Sequence, residues 1–189
     1  LSAMEINFEL FSNSLNGTIP TQLGRLSAME SFFDLHSNRL TSAIPTQLGR
    51  LTSLLEKHFL HSNDLSSTLP TQLGGLTHSR QLYVFSNSLS GAVPSQVGRM
   101  AALTQLFLQT NRLQDSLPTQ LGQLSGLADL ALDRNRLDSA LPASLCNLTA
   151  LVLFSASSNR FSGHLPPCTL PNVETFNVAS NRLEGKLSL

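Results

Sequence analysis

The chain carries little charge, and the charges it has cancel. Only 13% of its 189 residues are charged, and twelve basic residues balance twelve acidic ones. Proteins that bind nucleic acid usually show a basic excess, and chains that associate with anionic membranes do so through clusters of Lys and Arg. The composition therefore argues against both kinds of partner, and we expect no nucleic-acid ligand.

Long apolar runs are missing as well. No stretch approaches the ~18 consecutive apolar residues that a membrane-spanning helix requires. We therefore predict no membrane span in this segment, which leaves open a span outside it. A length of 189 residues fits one domain, and the chain begins with Leu1 without a signal sequence. We therefore expect residues 1–189 to be a single domain and a fragment lacking one or both of its terminal caps.

Recognisable catalytic motifs are absent too. The sequence contains no GxSxG, no HExxH, no P-loop and no paired CxxC. No nucleophile, base and orienting group recur at a catalytic spacing. We therefore expect neither an enzyme nor a bound cofactor or metal.

What the chain does contain is a repeat of 24–25 residues. Prolines and asparagines recur at this spacing, except for a step of 22 residues between the last two asparagines. The prolines are Pro20, Pro45, Pro70, Pro94, Pro118, Pro142 and Pro166. The asparagines are Asn13, Asn38, Asn63, Asn87, Asn111, Asn135, Asn159 and Asn181. Such a period indicates a solenoid in which each coil buries its apolar side chains against its neighbours.

The fifth repeat shows how one coil should fold. Leu106 and Leu108 alternate with polar or aromatic neighbours, which predicts a short strand with one buried face. Asn111 follows the strand, where its amide can satisfy turn backbone between coils, so its repetition predicts a hydrogen-bonded ladder. Pro118 and Gly122 mark a return path with room only for extended or 3₁₀ segments.

The repeat LxxLxxLxLxxNxLxGx[IL]PxxLG resembles the plant-type leucine-rich repeat over essentially the whole chain. The resemblance is closest at 15–24 and 89–98, which look like ectodomain repeats of receptor-like kinases, receptor-like proteins and polygalacturonase-inhibiting proteins. It implies an α/β-type solenoid of about eight coils of 22–25 residues. A parallel sheet should line its concave face, with irregular or 3₁₀ segments on the convex side.

Several positions depart from the pattern. Counting back from Asn63 places His58 where a buried Leu belongs, so we expect a neutral buried imidazole or one displaced to the rim. The short step between Asn159 and Asn181 predicts a reduced convex side in that coil. Five core positions carry Phe in place of an aliphatic residue: Phe8, Phe33, Phe154, Phe161 and Phe176.

The other six of the eleven aromatic residues fall on outward strand positions of the first five coils. Aromatic residues at this density are typical of an interface centre, although stacking along the strands for local stability is the alternative. We predict a partner-binding surface centred on Phe59, Tyr83, Phe85 and Phe107. Its flanking residues are Phe11, Phe32, His36, His61 and Lys57.

Ionisable side chains also fall in rows. His36 and His61 should be neighbours on adjacent strands with Asp34 beside them, which favours a shared pH response over a metal site. A row of arginines follows the ladder asparagines and would edge the concave face, either receiving an acidic ligand or forming a solvated rim. These arginines are Arg39, Arg112, Arg136, Arg160 and Arg182.

Two features bear on the compartment. Cys146 and Cys168 occupy equivalent positions on successive coils, close enough for a disulfide, with two buried thiols as the alternative. Asn16 and Asn147 begin N-glycosylation sequons outside the strands. Pairing and glycosylation would both suit an extracellular or cell-surface location.

We therefore expect a recognition module that binds a protein, peptide or glycan ligand on the concave face. The resemblance implies part of a cell-surface receptor ectodomain. The alternatives are a secreted enzyme inhibitor of the polygalacturonase-inhibiting type, an intracellular scaffold, or an ice-binding protein that uses the convex row Thr21, Thr46, Thr71 and Thr119.

Overall fold

Eight short parallel strands, one from each coil, form a single sheet. The computed structural model describes residues 7–185, except for the side chain of Lys57. The strands of this concave sheet pair in chain order. They are β1 (Asn7–Glu9), β3 (Phe32–Asp34), β5 (Lys57–Phe59), β7 (Gln81–Tyr83), β9 (Gln105–Phe107), β11 (Asp129–Ala131), β13 (Leu153–Ser155) and β15 (Thr175–Asn177). The predicted solenoid and its concave sheet are confirmed.

The register of this sheet stacks equivalent residues of successive coils. Leu82 pairs with Leu106, and Leu106 pairs with Leu130, and all three side chains are buried. Because side chains alternate along a strand, the residues on either side of each central position point away from the core. The sheet therefore presents the rows predicted from the repeat.

The asparagine ladder is present along the solenoid. The Asn111 amide nitrogen donates to the carbonyls of Val84 and Leu108 at 3.0 and 3.1 Å, and its oxygen accepts the amide proton of Leu89 at 3.0 Å. The carbonyl of Val84 and the amide of Leu89 belong to the preceding coil, so each ladder side chain joins two turns. Equivalent bonds form at Asn38, Asn63, Asn87, Asn135, Asn159 and Asn181.

A second row of short strands was not predicted. These strands follow the ladder asparagines and pair in parallel in three small sheets, β2-β4-β6, β8-β10-β12 and β14-β16. They are β2 (Asn16–Thr18), β4 (Arg39–Ser42), β6 (Asp64–Leu65), β8 (Ser90–Gly91), β10 (Arg112–Asp115), β12 (Arg136–Leu137), β14 (Ser162–Gly163) and β16 (Arg182–Leu183). Most of the arginine row therefore lies in these sheets and not along the concave strands.

The convex side consists of 3₁₀ helices stacked on one another, each directly preceded by a repeat proline. The helices are η1 (Thr21–Arg25), η2 (Thr46–Arg50), η3 (Thr71–Gly75), η4 (Ser95–Arg99), η5 (Thr119–Gln123) and η6 (Ala143–Asn147). The stacking is close: a Cβ atom added to Gly98 would lie 2.3 Å from the carbonyl oxygen of Gln120 in the next helix. In the described part of the chain, the coil that follows η6 has no such helix, as its shorter length predicted.

The substituted core positions are mostly buried. Phe33, Phe154 and Phe161 are inaccessible to solvent or nearly so, and Phe8 packs against the core from the first described coil. Phe176 differs from the prediction, because 43% of its side chain is exposed. It belongs to β15, the last strand in the order of the sheet. His58 is buried, in agreement with the first of the two outcomes expected for it.

Candidate functional site

Aromatic rings on the concave sheet form two parallel stacks. The first, here called the histidine ladder, contains Phe11, His36, His61 and Phe85. The second, the tyrosine ladder, contains Phe59, Tyr83 and Phe107. Both arise because the same outward position of consecutive coils carries a ring and the strands lie about 4.8 Å apart.

The histidine ladder is stacked face to face along its length. Its successive ring centroids are 4.8, 4.4 and 4.2 Å apart, and the interplanar angles are 20° or less. His36 also contacts Asp34, with Nδ1 2.6 Å from the carboxylate oxygen. The structure thus brings together the two histidines and the carboxylate that the sequence placed side by side.

The tyrosine ladder has the same geometry. Its two centroid separations are 4.4 and 4.5 Å, and both interplanar angles are 15°. The two ladders touch at tilted angles, for example at 5.8 Å between Phe59 and His61 and 6.2 Å between Tyr83 and Phe85. Seven rings therefore form one continuous surface across the first five coils.

Stacking changes the exposure of this surface. Phe11 is 42% exposed, but the other rings of the two ladders are only partly exposed because neighbouring rings cover their faces. The predicted aromatic surface therefore presents mainly the edges of its rings. Each stacked pair of rings contributes about 0.5–1.5 kcal/mol to stability beyond the effect of its buried area, so the ladders also stabilise the sheet.

Two predicted contact residues stand outside the ladders. Phe32 begins β3 and is partly buried, and its partners in the sheet register are Asn7 and Lys57. The backbone of Lys57 begins β5, while its side chain lies outside the described part of the structure.

A row of polar side chains runs beside the tyrosine ladder and ends on a carboxylate. Gln81 Nε2 and the Tyr83 hydroxyl both donate to Gln105 Oε1, and Gln105 Nε2 donates to Asp129 Oδ2 at 2.6 Å. Burial raises the pKa of Tyr83, and the charge of Asp129 raises it further. This network was not predicted, although Gln81, Gln105 and Asp129 occupy one outward position of consecutive coils.

The histidines beneath and within the surface titrate abnormally. Burial is the main cause that lowers the pKa of His61 to about 4; the neighbouring His36 lowers it further and Asp34 opposes the shift. Burial alone lowers the pKa of His58 to about 3. Within residues 7–185 no three His, Cys, Asp or Glu side chains are arranged to hold a metal ion.

The cysteines and sequons lie away from the concave sheet. Cys146, in η6, forms a disulfide with Cys168 in the next coil, with the Cα atoms 5.6 Å apart. Asn147 ends η6 and Asn16 begins β2, and both are exposed. Both asparagines are therefore accessible to a modifying enzyme.

The stacked coils, the asparagine ladder and the 3₁₀ helices define a leucine-rich repeat solenoid. No family model and no curated protein matches the chain. Among solved structures, it is similar to the Arabidopsis receptor kinase HAESA in complex with the peptide hormone IDA and the co-receptor SERK1. The TM-score is 0.87 and the identity 34%, over 93% of this chain and 30% of that one.

A second similar structure is the ectodomain of the Arabidopsis thaliana receptor kinase GASSHO1/SCHENGEN3 in complex with Casparian strip integrity factor 2. It has a TM-score of 0.89 and 30% identity, over 93% of this chain and 21% of that one. The chain is thus a plant-type leucine-rich repeat protein, and it spans less than a third of the length of either receptor structure. A plant ice-binding protein is 23% identical with a TM-score of 0.77, over 97% of this chain and 66% of that one, and shares the fold.

The described residues contain no helix of the length and apolar character that crossing a bilayer requires.

Proposed function

We propose that this chain is a recognition module, without catalytic activity, that binds a protein, peptide or glycan ligand on its concave face. The observation that carries the proposal is the aromatic surface formed by the histidine and tyrosine ladders. Large, partly exposed rings offer contact area at a small cost in side-chain entropy, and a rigid sheet holds them in place before binding.

The predicted contact residues belong to this proposal. Phe59, Tyr83, Phe85 and Phe107 lie on three consecutive coils and form its centre. The flanking residues are Phe11, His36, His61, Phe32 and Lys57. The receptors HAESA and GASSHO1/SCHENGEN3, whose structures resemble this chain, were solved with a peptide hormone and with Casparian strip integrity factor 2, which supports a receptor ectodomain as the setting.

An extracellular or cell-surface location fits the same proposal. The Cys146–Cys168 disulfide favours an oxidising compartment. Exposed Asn16 and Asn147 are accessible for N-glycosylation. Both observations count against the intracellular scaffold, whose cysteines would be reduced.

A random peptide library displayed on phage tests the proposal. Clones that bind the intact chain are synthesised, and their affinities are measured for Phe107→Ala, for Tyr83→Ala and for Thr119→Ala, a control on the convex side. Each of the two ring variants should lose ~1–3 kcal/mol of binding, and the control should lose none.

Equal affinities for all three variants would place the ligand elsewhere and overturn the site. A thermal melt of each variant distinguishes a lost contact from a lost fold, because the ladders also stabilise the sheet.

A further inference from the structure

Charge is distributed unevenly over the neutral chain. The outward positions of the concave sheet carry four carboxylates, those of Glu9, Asp34, Asp129 and Asp133. In the described strands the basic residue at these positions is Lys57, and none is an arginine. Most arginines lie in the second row of strands and on the convex side, although Arg80 directly precedes β7 and Arg134 directly follows Asp133. The outward positions of the described concave strands therefore carry more carboxylates than arginines or lysines.

Two of these carboxylates, those of Asp129 and Asp133, belong to the coil that follows the last ring of the tyrosine ladder. Phe107 is its last ring, and in the next coil the register places Ala131 at the same position. Ala131 offers only a methyl group and is nearly buried. Asp129 and Asp133 flank Ala131 on the outward side of the same coil, which makes them the diagonal neighbours of the terminal ring across the two coils.

Neutral donors alone contact these two carboxylates. One oxygen of Asp129 accepts from Gln105. Oδ1 of Asp133 accepts from the Ser155 hydroxyl at 2.5 Å and from the Ser157 amide and hydroxyl at 2.9 and 2.8 Å. Among the described side chains of residues 7–185, which do not include that of Lys57, no basic group lies within ion-pair distance of either aspartate. Their charges are held in place but left uncompensated.

A further acceptor lies in the row that contains Asp133. Gln109 precedes Asp133 at the equivalent position of the preceding coil, and its side-chain oxygen is buried without a hydrogen-bond donor among the described residues. Because that oxygen is buried, it adds an acceptor beneath the surface and is not itself a ligand contact. A ligand that supplies N–H groups and positive charge would pair with the two aspartates.

The ladders themselves restrict the ligand further. Sugars pack against aromatic faces, but within each ladder the faces are covered by the neighbouring rings at 4.2–4.8 Å. Ring edges remain for contact, and they suit apolar or aromatic side chains that approach edge to face. Phe107 ends the tyrosine ladder, and in the described residues it has no ring partner on the side of Ala131.

From the juxtaposition of the terminal ring Phe107 with the unpaired carboxylates of Asp129 and Asp133, we propose that the ligand is a basic peptide. Its apolar side chains lie along the two ladders, and a Lys or Arg lies beside Phe107 and the aspartates. A cation next to both an aromatic ring and a carboxylate gains from each. The inference rests on the proposed function and narrows its ligand to one class.

The same phage library tests the inference with two charge variants. Asp129→Asn/Asp133→Asn keeps the oxygen acceptors that hold Gln105, Ser155 and Ser157 but removes two negative charges. The control Asp64→Asn/Glu184→Gln removes the same charge from exposed positions in or beside the second row of strands.

Peptides selected on the intact chain should be enriched in Lys or Arg next to apolar residues. Their affinity should fall roughly tenfold in Asp129→Asn/Asp133→Asn and less than about twofold in the control. Enrichment of acidic residues, or equal losses in the two charge variants, would overturn the basic-peptide class.

These results are separable from a failure of the proposed function. Peptides that depend on Tyr83 and Phe107 but are indifferent to the two aspartates refute this inference and leave the site intact. A selection that yields no peptide dependent on those rings contradicts the site and the inference together.

Discussion

Replacing His58 by leucine should stabilise the protein and reduce its sensitivity to acid. His58 is 2% exposed and occupies a position where the neighbouring coils carry buried Phe33 and Leu82. Its Nδ1 atom is 2.8 Å from the Ser79 hydroxyl, but Nε2 is buried without a partner. A buried polar atom without a hydrogen bond costs about 1–3 kcal/mol, and leucine removes this cost. Leucine also removes the bond to Ser79, whose hydroxyl keeps a longer contact of 3.5 Å with the Gln81 carbonyl, so the gain at neutral pH should be small.

The larger effect depends on pH. Burial lowers the pKa of His58 from 6.5 to about 3. Between these values the unfolded chain binds a proton that the folded chain does not, so stability is lost as the pH falls through the window. Each pH unit there costs about 1.4 kcal/mol, which amounts to about 3 kcal/mol between pH 7.5 and 4.5.

Urea unfolding followed by circular dichroism at several pH values measures this difference. His58→Leu should unfold with a shallower dependence on pH than the unmodified chain. His78→Gln, which removes an exposed imidazole, controls for the loss of a histidine as such. Parallel pH profiles for the unmodified chain and His58→Leu would refute the argument from burial.

Three further predictions concern the stacking of coils. Gly98→Ala should lower the free energy of unfolding by about 3 kcal/mol or more, because the new Cβ would lie 2.3 Å from a backbone oxygen of the next helix. The control Gly126→Ala has open space at its Cβ and should change this free energy by less than about 1 kcal/mol in chemical denaturation. Asn111→Ala removes four hydrogen bonds to backbone groups, three of them at 3.0–3.1 Å, and should lower the free energy of unfolding by about 3 kcal/mol in the same assay. An unchanged midpoint would mean that water replaces the ladder. Reduction of the Cys146–Cys168 disulfide should lower the free energy of unfolding by about 3 kcal/mol, because the bond closes a loop of 22 residues in the unfolded chain. Equal stability with and without dithiothreitol would show that the disulfide hardly restricts the unfolded chain.

The repeat predicts most of the fold because each coil must satisfy the same constraints. Alternation around Leu106 gives the strand, and the regular recurrence of Asn111 and its equivalents gives the ladder. The same counting places His58 in the core. Each inference needs only the spacing of residues, which the sequence contains.

The second row of strands escapes such reasoning for a physical reason. Several of these strands are only two residues long, as at Asp64–Leu65 and Arg136–Leu137, so no alternation can develop. Their hydrogen bonds depend on how closely neighbouring coils approach after the asparagine turn. That distance results from packing of the whole solenoid.

The sequence predicts which residues of the candidate site are neighbours, but not how their side chains are oriented. Columns of equivalent positions place Phe59, Tyr83 and Phe107 side by side. The angles between the rings, and the resulting coverage of their faces, depend on side-chain rotamers that spacing does not determine. The link from Tyr83 through Gln105 to Asp129 depends in the same way on the reach and orientation of an amide.

Tyr83 provides the most direct test of recognition at the ladders, because the chain contains one tyrosine and no tryptophan. Its fluorescence reports on the centre of the proposed site without any label. A library-selected peptide that lacks tyrosine and tryptophan is added to saturation, and quenching by acrylamide is measured with and without it. Bound peptide should shield Tyr83 and lower the quenching constant. An unchanged constant at saturation would contradict recognition at the two ladders.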